Sequence, residues 1–128
     1  MMVRMPLVAI SVLSLLAGRA GFAADQPKGY AVAEISVTNP VAYKEYLAAV
    51  TPVVAQFGGR YLVRAGRVIP LEGLAPTGRF VVIEFPSLAV AQQFEDSPQY
   101  KAIAPLRKKA ARTRLFLVEG AAEDPADR

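Results

Sequence analysis

The chain has 128 residues, just over half of them apolar, with 15 basic and 11 acidic side chains. That is the length of one domain and apolar content enough for a packed core, which excludes a disordered chain. No cysteine and no histidine occur, which removes disulfides, lipoprotein anchoring, thiolate chemistry, iron–sulfur clusters, His-based catalytic triads and the commonest zinc and haem ligands.

Met1 to Pro6 carries one positive charge, at Arg4, and Leu7 to Gly18 is an apolar run of 12 residues broken only by two serines. A spanning helix needs roughly 20 residues. The small-residue stretch Gly21-Phe22-Ala23-Ala24 that follows reads as a cleavage site, with Gly21 at −3 and Ala23 at −1. Residues 1–23 are therefore expected to be a signal peptide, and the mature protein is expected to be exported, periplasmic or secreted. A buried N-terminal helix is the alternative, but the run lacks a polar face. Cleavage removes Arg4 and Arg19 and leaves 13 basic against 11 acidic side chains. So small an excess gives no case for nucleic acid, and no membrane span is expected in the mature chain.

Residues 24–28 read as a linker, 29–120 as the domain and 121–128 as a polar tail. Tyr30 to Val37 alternates in strand fashion. Thr38-Asn39-Pro40 stops it and starts a helix, with Asn39 as N-cap and Pro40 in the first helical position. Tyr43, Leu47, Val50, Val54 and Phe57 then make a core-facing helical stripe. Pro52 lies inside it and predicts a kink or break; Gly58-Gly59 ends it as a C-cap. Arg60 to Arg64 is the second strand. A connection rich in Gly and Pro, Ala65 to Gly78, leads to the third, Arg79 to Phe85, the strongest strand signal in the chain. Ser87 caps a helix that buries Val90, Ala91 and Phe94. Ser97-Pro98 repeats the cap-and-proline device and starts a further helical segment to about Ala110, interrupted by Pro105. Arg114 to Glu119 is the fourth strand, closed by Gly120.

The order β-α-β-β-α-β builds an α+β domain: a four-stranded antiparallel sheet with its helices on one face and its first and third strands adjacent. The other face is not polar. Depending on parity it carries Val32, Leu62, Phe80, Val82, Leu115 and Leu117, a patch of roughly 400 Å² from standard strand spacings. That is at the limit of what soluble monomers expose, and a two-fold copy of the same chain is the commonest cover.

Gly29-Tyr30, Tyr43 with Tyr46, the run Gly58 to Arg64, Glu72-Gly73, Val82 to Pro86, Ser97-Pro98 with Tyr100, Leu106-Arg107 and Val118-Glu119-Gly120 together form one pattern. It resembles the domain-of-unknown-function 1330 family of the dimeric α/β-barrel superfamily. The resemblance implies a ferredoxin-like protomer and a homodimer whose two sheets face each other, and it brings no established reaction. Ala65 stands where the family often has the first of two glycines, and Pro105 where a helix former is usual; the leader is also extra.

The sequence has no Gly-x-Gly-x-x-Gly and no phosphate-binding loop, and its carboxylates are too dispersed for a calcium or magnesium cage. No cofactor or metal is expected. Arg107, Lys108, Lys109, Arg112 and Arg114 read as a solvated face at a helix end, or as a site for an anion or a membrane surface. Tyr43, Tyr46, Tyr61 and Tyr100 read as core aromatics with wet hydroxyls, or as catalysts. Glu34, Arg64, Glu84 and Glu119 are charges flanked by apolar strand neighbours, which need pairing or water. Arg64 and Glu84 are expected to pair and fix register, or to line a ligand cavity as anion binder and carboxylate base. The candidate site is thus Glu84 and Tyr43 as catalytic groups, with Arg64, Glu34, Tyr100 and Arg107 binding a small molecule. Three readings follow: a small-molecule-binding homodimer, a purely structural or interaction dimer, and a cofactor-independent enzyme, monooxygenase- or isomerase-like, on a small carbonyl or phenolic substrate.

Overall fold

The computed structural model of the chain describes residues 2–3 and 26–122. The expected leader, but for residues 2 and 3, and most of the expected tail fall outside them. The elements are β1 (Gly29–Val37), α1 (Pro40–Gln56), β2 (Arg60–Arg64), β3 (Arg79–Phe85), α2 (Leu88–Asp96), α3 (Pro98–Ala110) and β4 (Ala111–Glu119). The strands form one antiparallel sheet in the order β2-β3-β1-β4, so the first and third strands are neighbours as expected. β4 begins at Ala111, earlier than its alternation alone indicated, because Ala111 continues the ladder opposite Val37.

Side-chain oxygens start all three helices. Asn39 accepts from the Ala42 N–H, Ser87 from Val90 and Ser97 from Tyr100, each satisfying an orphan donor of the first turn. Ser97 also donates to the Phe94 carbonyl at 2.7 Å, so one buried hydroxyl closes α2 and opens α3. The prolines do not break the helices: α1 runs through Pro52 and α3 through Pro105, both rings on exposed positions. Phe57 and Gly58, the latter at φ +71°, end α1 with the Gly59 N–H returning to the Val54 carbonyl at 2.9 Å.

One sheet face is buried under the helices. Ala31, Ala33, Ile35, Val81 and Phe85 meet Tyr43, Tyr46, Val50 and Val54 of α1, with Ala91, Phe94 and Tyr100 from the other two helices. Phe94 anchors this core, its ring centroid 5.1 Å from Phe85 and 4.7 Å from Tyr100. Leu115 and Leu117 pack here too, which corrects the expectation that they lie on the opposite face. That face instead presents Val32, Phe80 and Val82 with Phe116 and Val118, the last two each 44% exposed.

β2 departs from regular pleating. Tyr61 pairs with Ile83 but Val63 with Val82, so the register slips at Leu62. The bulge turns Arg64 onto the helix side, opposite Val81, and leaves Arg60 on the open side, opposite Glu84. The chain leaves β2 through Ala65, a non-glycine at φ 57°, and re-enters the sheet at Gly78. A Cβ at Gly78 would lie 2.3 Å from the Ile35 carbonyl oxygen, so only glycine lets β3 start this close to β1.

Candidate functional site

On the buried face β3, β1 and β4 line up in rows. Ile35 stands between Arg79 and Thr113, Ala33 between Val81 and Leu115, and Ala31 between Ile83 and Leu117. Two successive alanines on the central strand leave the floor low. The helices cannot follow it down, because α1 is held at its start and α3 at its end. The Thr38 and Asn39 N–H groups both donate to the Ala110 carbonyl, at 2.8 and 3.0 Å. A cavity of about 50 Å³ remains between sheet and helices, open at its mouth.

Its walls are polar where its floor is not. Tyr43 and Tyr46 hang from α1, Glu95 from α2, Tyr100 and Arg107 from α3, and Tyr61 with Arg64 close the β2 side. Arg64 donates to Thr51 Oγ1 at 3.1 Å and lies 4.2 Å over the Tyr61 ring. The Arg79 guanidinium is 5.4 Å from the Tyr43 ring centroid, within cation–π range. Three guanidiniums thus face one carboxylate.

Arg107 is 8% exposed, the one charged side chain in the core among the described residues. Its Nε, the Nε of Arg79 and the Thr113 hydroxyl are buried with no hydrogen-bond partner. They are all the side-chain atoms in that condition among the described residues, and all three belong to residues lining this cavity. A buried polar group left unpaired costs about 1–3 kcal/mol, and more if charged. No carboxylate among the described residues comes within ion-pair distance of Arg107. Burial alone would lower its pKa, yet Tyr100, Tyr46 and Glu95 outweigh burial and the net shift is upward. Of those three, Glu95 is the one carboxyl group. Burial raises the Glu95 carboxyl against the opposing pull of Arg107. Burial also lifts Tyr46 far above the usual phenol range, with Tyr100 adding to it, and lifts Tyr61 against Thr51 and Arg64. Tyr46 and Tyr61 are therefore neutral hydrogen-bonding groups in the physiological range.

Of the residues expected at a site, Tyr43, Arg64, Tyr100 and Arg107 meet in this cavity. Glu84 and Glu34 do not; they lie on the open sheet face. The expected Arg64–Glu84 pair does not form, because the β2 bulge separates the two residues onto opposite faces. Glu84 pairs with Arg60 at 3.1 Å and takes the Tyr30 hydroxyl at 3.4 Å, while Glu34 stands 3.9 Å from Arg114. Tyr46 and Tyr61, read from sequence as core aromatics or catalysts, also line the cavity, as do Arg79, Glu95 and Thr113, which were not singled out from sequence. Arg79 was within reach, since it shares strand parity with Val81, Ile83 and Phe85. Glu95 and Thr113 carry no local signal.

A family model described as a domain of unknown function (DUF1330) matches residues 28–121. The chain belongs to the DUF1330 family. The crystal structure of RPA0582, a protein of unknown function from Rhodopseudomonas palustris, superposes with a TM-score of 0.59 at 19% identity, covering 75% of this chain and 84% of that one. The methylated form of RPA0582 gives 0.60 at 18% identity, over 78% and 84%. SnoaB, a cofactor-independent oxygenase from Streptomyces nogalater, gives 0.48 at 14% identity, over 77% and 98%. At 18–19% identity the likeness to RPA0582 is one of fold, and the element and strand order of this chain are those of the ferredoxin-like α+β fold. No curated protein matches the sequence. Among the described residues no helix is long and apolar enough to cross a membrane.

Proposed function

We propose that this DUF1330 protein is an exported, homodimeric small-molecule-binding protein whose ligand occupies the cavity between sheet and helices. The observation that carries the reading is the cavity itself. A domain this small gains stability by filling its core, yet here the central strand supplies two alanines and polar side chains surround the space they leave. A concave, mostly apolar site with a few converging polar groups is the ordinary form of a ligand site. The leader-like residues 1–23 support export, and the apolar open face around Val32, Phe80, Val82 and Phe116 supports pairing with a second copy. The test is a thermal-shift screen of the purified protein against several hundred metabolites, repeated with Ala33→Val. Ligands should stabilise the wild type, and filling the floor should abolish the shift while the fold survives. Shifts that persist unchanged in Ala33→Val would remove the ligand from this cavity.

A cofactor-independent enzyme is a second reading, favoured by one observation: Glu95 lines the cavity with a carboxyl raised by burial. A raised carboxylate is the kind of group that exchanges protons with a substrate near neutral pH. In that reading Glu95 is the base, with Tyr43 and Tyr100 as hydroxyl partners of a small carbonyl or phenolic substrate. Turnover by the wild type that is lost in Glu95→Gln, with ligand binding retained, separates it from simple binding.

A further inference from the structure

We propose that the ligand is a small organic carboxylate, its anionic group held by Arg107, Arg79 and Thr113 and its apolar body laid over Ala33 and Ala31. The proposal rests on the small-molecule reading above and names the chemistry of its ligand.

The three polar groups without partners converge on one end of the cavity. Arg79 and Thr113 flank Ile35 in the same row, on strands two spacings apart, so about 10 Å of sheet lies between their backbones. Long side chains span that interval readily. Arg107 comes from above: it lies one turn before Ala110, whose carbonyl is bound by Thr38 and Asn39 just beyond the end of β1. That is the Ile35 end of the strand. Two guanidinium donors and a hydroxyl therefore face a common volume, and none of the three atoms has a partner within the protein.

The chemistry of this donor set excludes most classes of ligand. Three guanidiniums against one carboxylate repel a cation. A neutral carbonyl or phenol accepts from one or two donors and leaves the Arg107 charge unbalanced. An oxyanion satisfies both needs at once, since its oxygens have lone pairs for several donors and its charge offsets the buried guanidinium. Within the oxyanions, phosphate is the less apt occupant. Phosphate sites draw on backbone N–H groups at glycine-rich turns and helix N-termini, and no glycine lines this cavity. Arginine side chains over a flat alanine floor, walled by tyrosine rings, suit a planar carboxylate carrying a short aliphatic or aromatic body.

The experiment is calorimetric titration of the purified protein with matched acid and amide pairs, benzoate with benzamide and butyrate with butyramide, and with inorganic phosphate. The acid of at least one pair should bind, and its amide about tenfold or more weakly. Arg107→Met should weaken the acid about 10- to 100-fold, the loss of one charge-assisted bond, and leave the amide unchanged. Thr113→Val, which keeps shape and charge, should weaken the acid a few-fold and carries the same comparison if Arg107→Met fails to fold. Amides that bind as well as acids and ignore both substitutions would overturn the carboxylate while leaving the small-molecule reading standing. Phosphate binding without either acid would also overturn it. No binding by any probe would overturn the carboxylate, and the small-molecule reading would fall with it only if the metabolite screen also gave no shift.

Discussion

Replacing Arg107 with methionine should make the unliganded protein more stable. A binding residue serves a ligand at the expense of the empty fold, whereas a structural residue serves the fold itself. Arg107 is buried, its Nε has no partner, and Glu95 is too far for an ion pair. Substituting buried ionic groups by apolar side chains of similar volume is neutral or stabilising by about 1–4 kcal/mol. The Tyr46 and Tyr100 dipoles already compensate part of the cost, which places the expected gain at about 1–2 kcal/mol. For a domain of this size that raises the melting temperature by roughly 5–10 °C. Calorimetry and urea unfolding at pH 7, without ligand and at fixed protein concentration, measure it. A fall of comparable size would refute the reasoning, because it would make Tyr46, Tyr100 and Glu95 the structural partners of a satisfied guanidinium.

Ala65→Gly should stabilise the protein by about 0.5–1 kcal/mol: a left-handed alanine costs about 1–2 kcal/mol, of which glycine's greater unfolded freedom takes back part. A lowered urea midpoint would contradict the φ of 57° there. Because the Glu95 carboxyl is raised above 4.5 by burial, its contribution favours the fold at low pH and is lost as pH rises through the raised pKa. Wild type should therefore lose stability relative to Glu95→Gln across that window in urea midpoints taken against pH, and parallel curves would show the group to be solvated. Val82→Glu, on the open sheet face opposite Val32, should convert a dimer into a folded monomer by light scattering with unchanged circular dichroism; a dimer that survives would move the interface elsewhere. Intact mass of the exported protein should place its first residue at Ala24, give or take two, and a full-length mass in the cytosol would exclude cleavage.

Much of the fold was legible because local chemistry and global topology agree. Asn39, Ser87 and Ser97 cap the helices as their spacing indicated, and the strand order follows from two β-α-β halves. The faces were harder, for two physical reasons. Arg114 to Val118 is apolar at four successive positions after one charge, so alternation cannot tell Leu115 from Phe116, and only pairing with Ala33 and Val32 decides. In β2 strict alternation puts Arg60, Leu62 and Arg64 on one face, and a single slipped residue at Leu62 sends Arg64 to the other. That slip explains why Arg60 holds Glu84, and why Arg64 enters the cavity instead. The cavity itself was not legible, since it arises from what Ala31 and Ala33 lack. Absence of volume leaves no periodic signal. Glu95 and Thr113 became neighbours of Arg107 only through tertiary packing.

The placing of β1 bears on when the sheet can close. β1 is the first element of the described residues, yet it is an inner strand, and one of its two neighbours is the last of them, β4. The closing hydrogen bond, from the Gly120 N–H to the Lys28 carbonyl at 2.7 Å, joins the two ends of the domain. Until residues 111–119 have been synthesised, one side of β1 has nothing to pair with and the core over Ala31 and Ala33 has no fourth wall. Pairings this distant in sequence also form slowly. A chain still lacking its C-terminal strand is thereby kept open by its own topology, and the sheet closes only once β4 is available to pair.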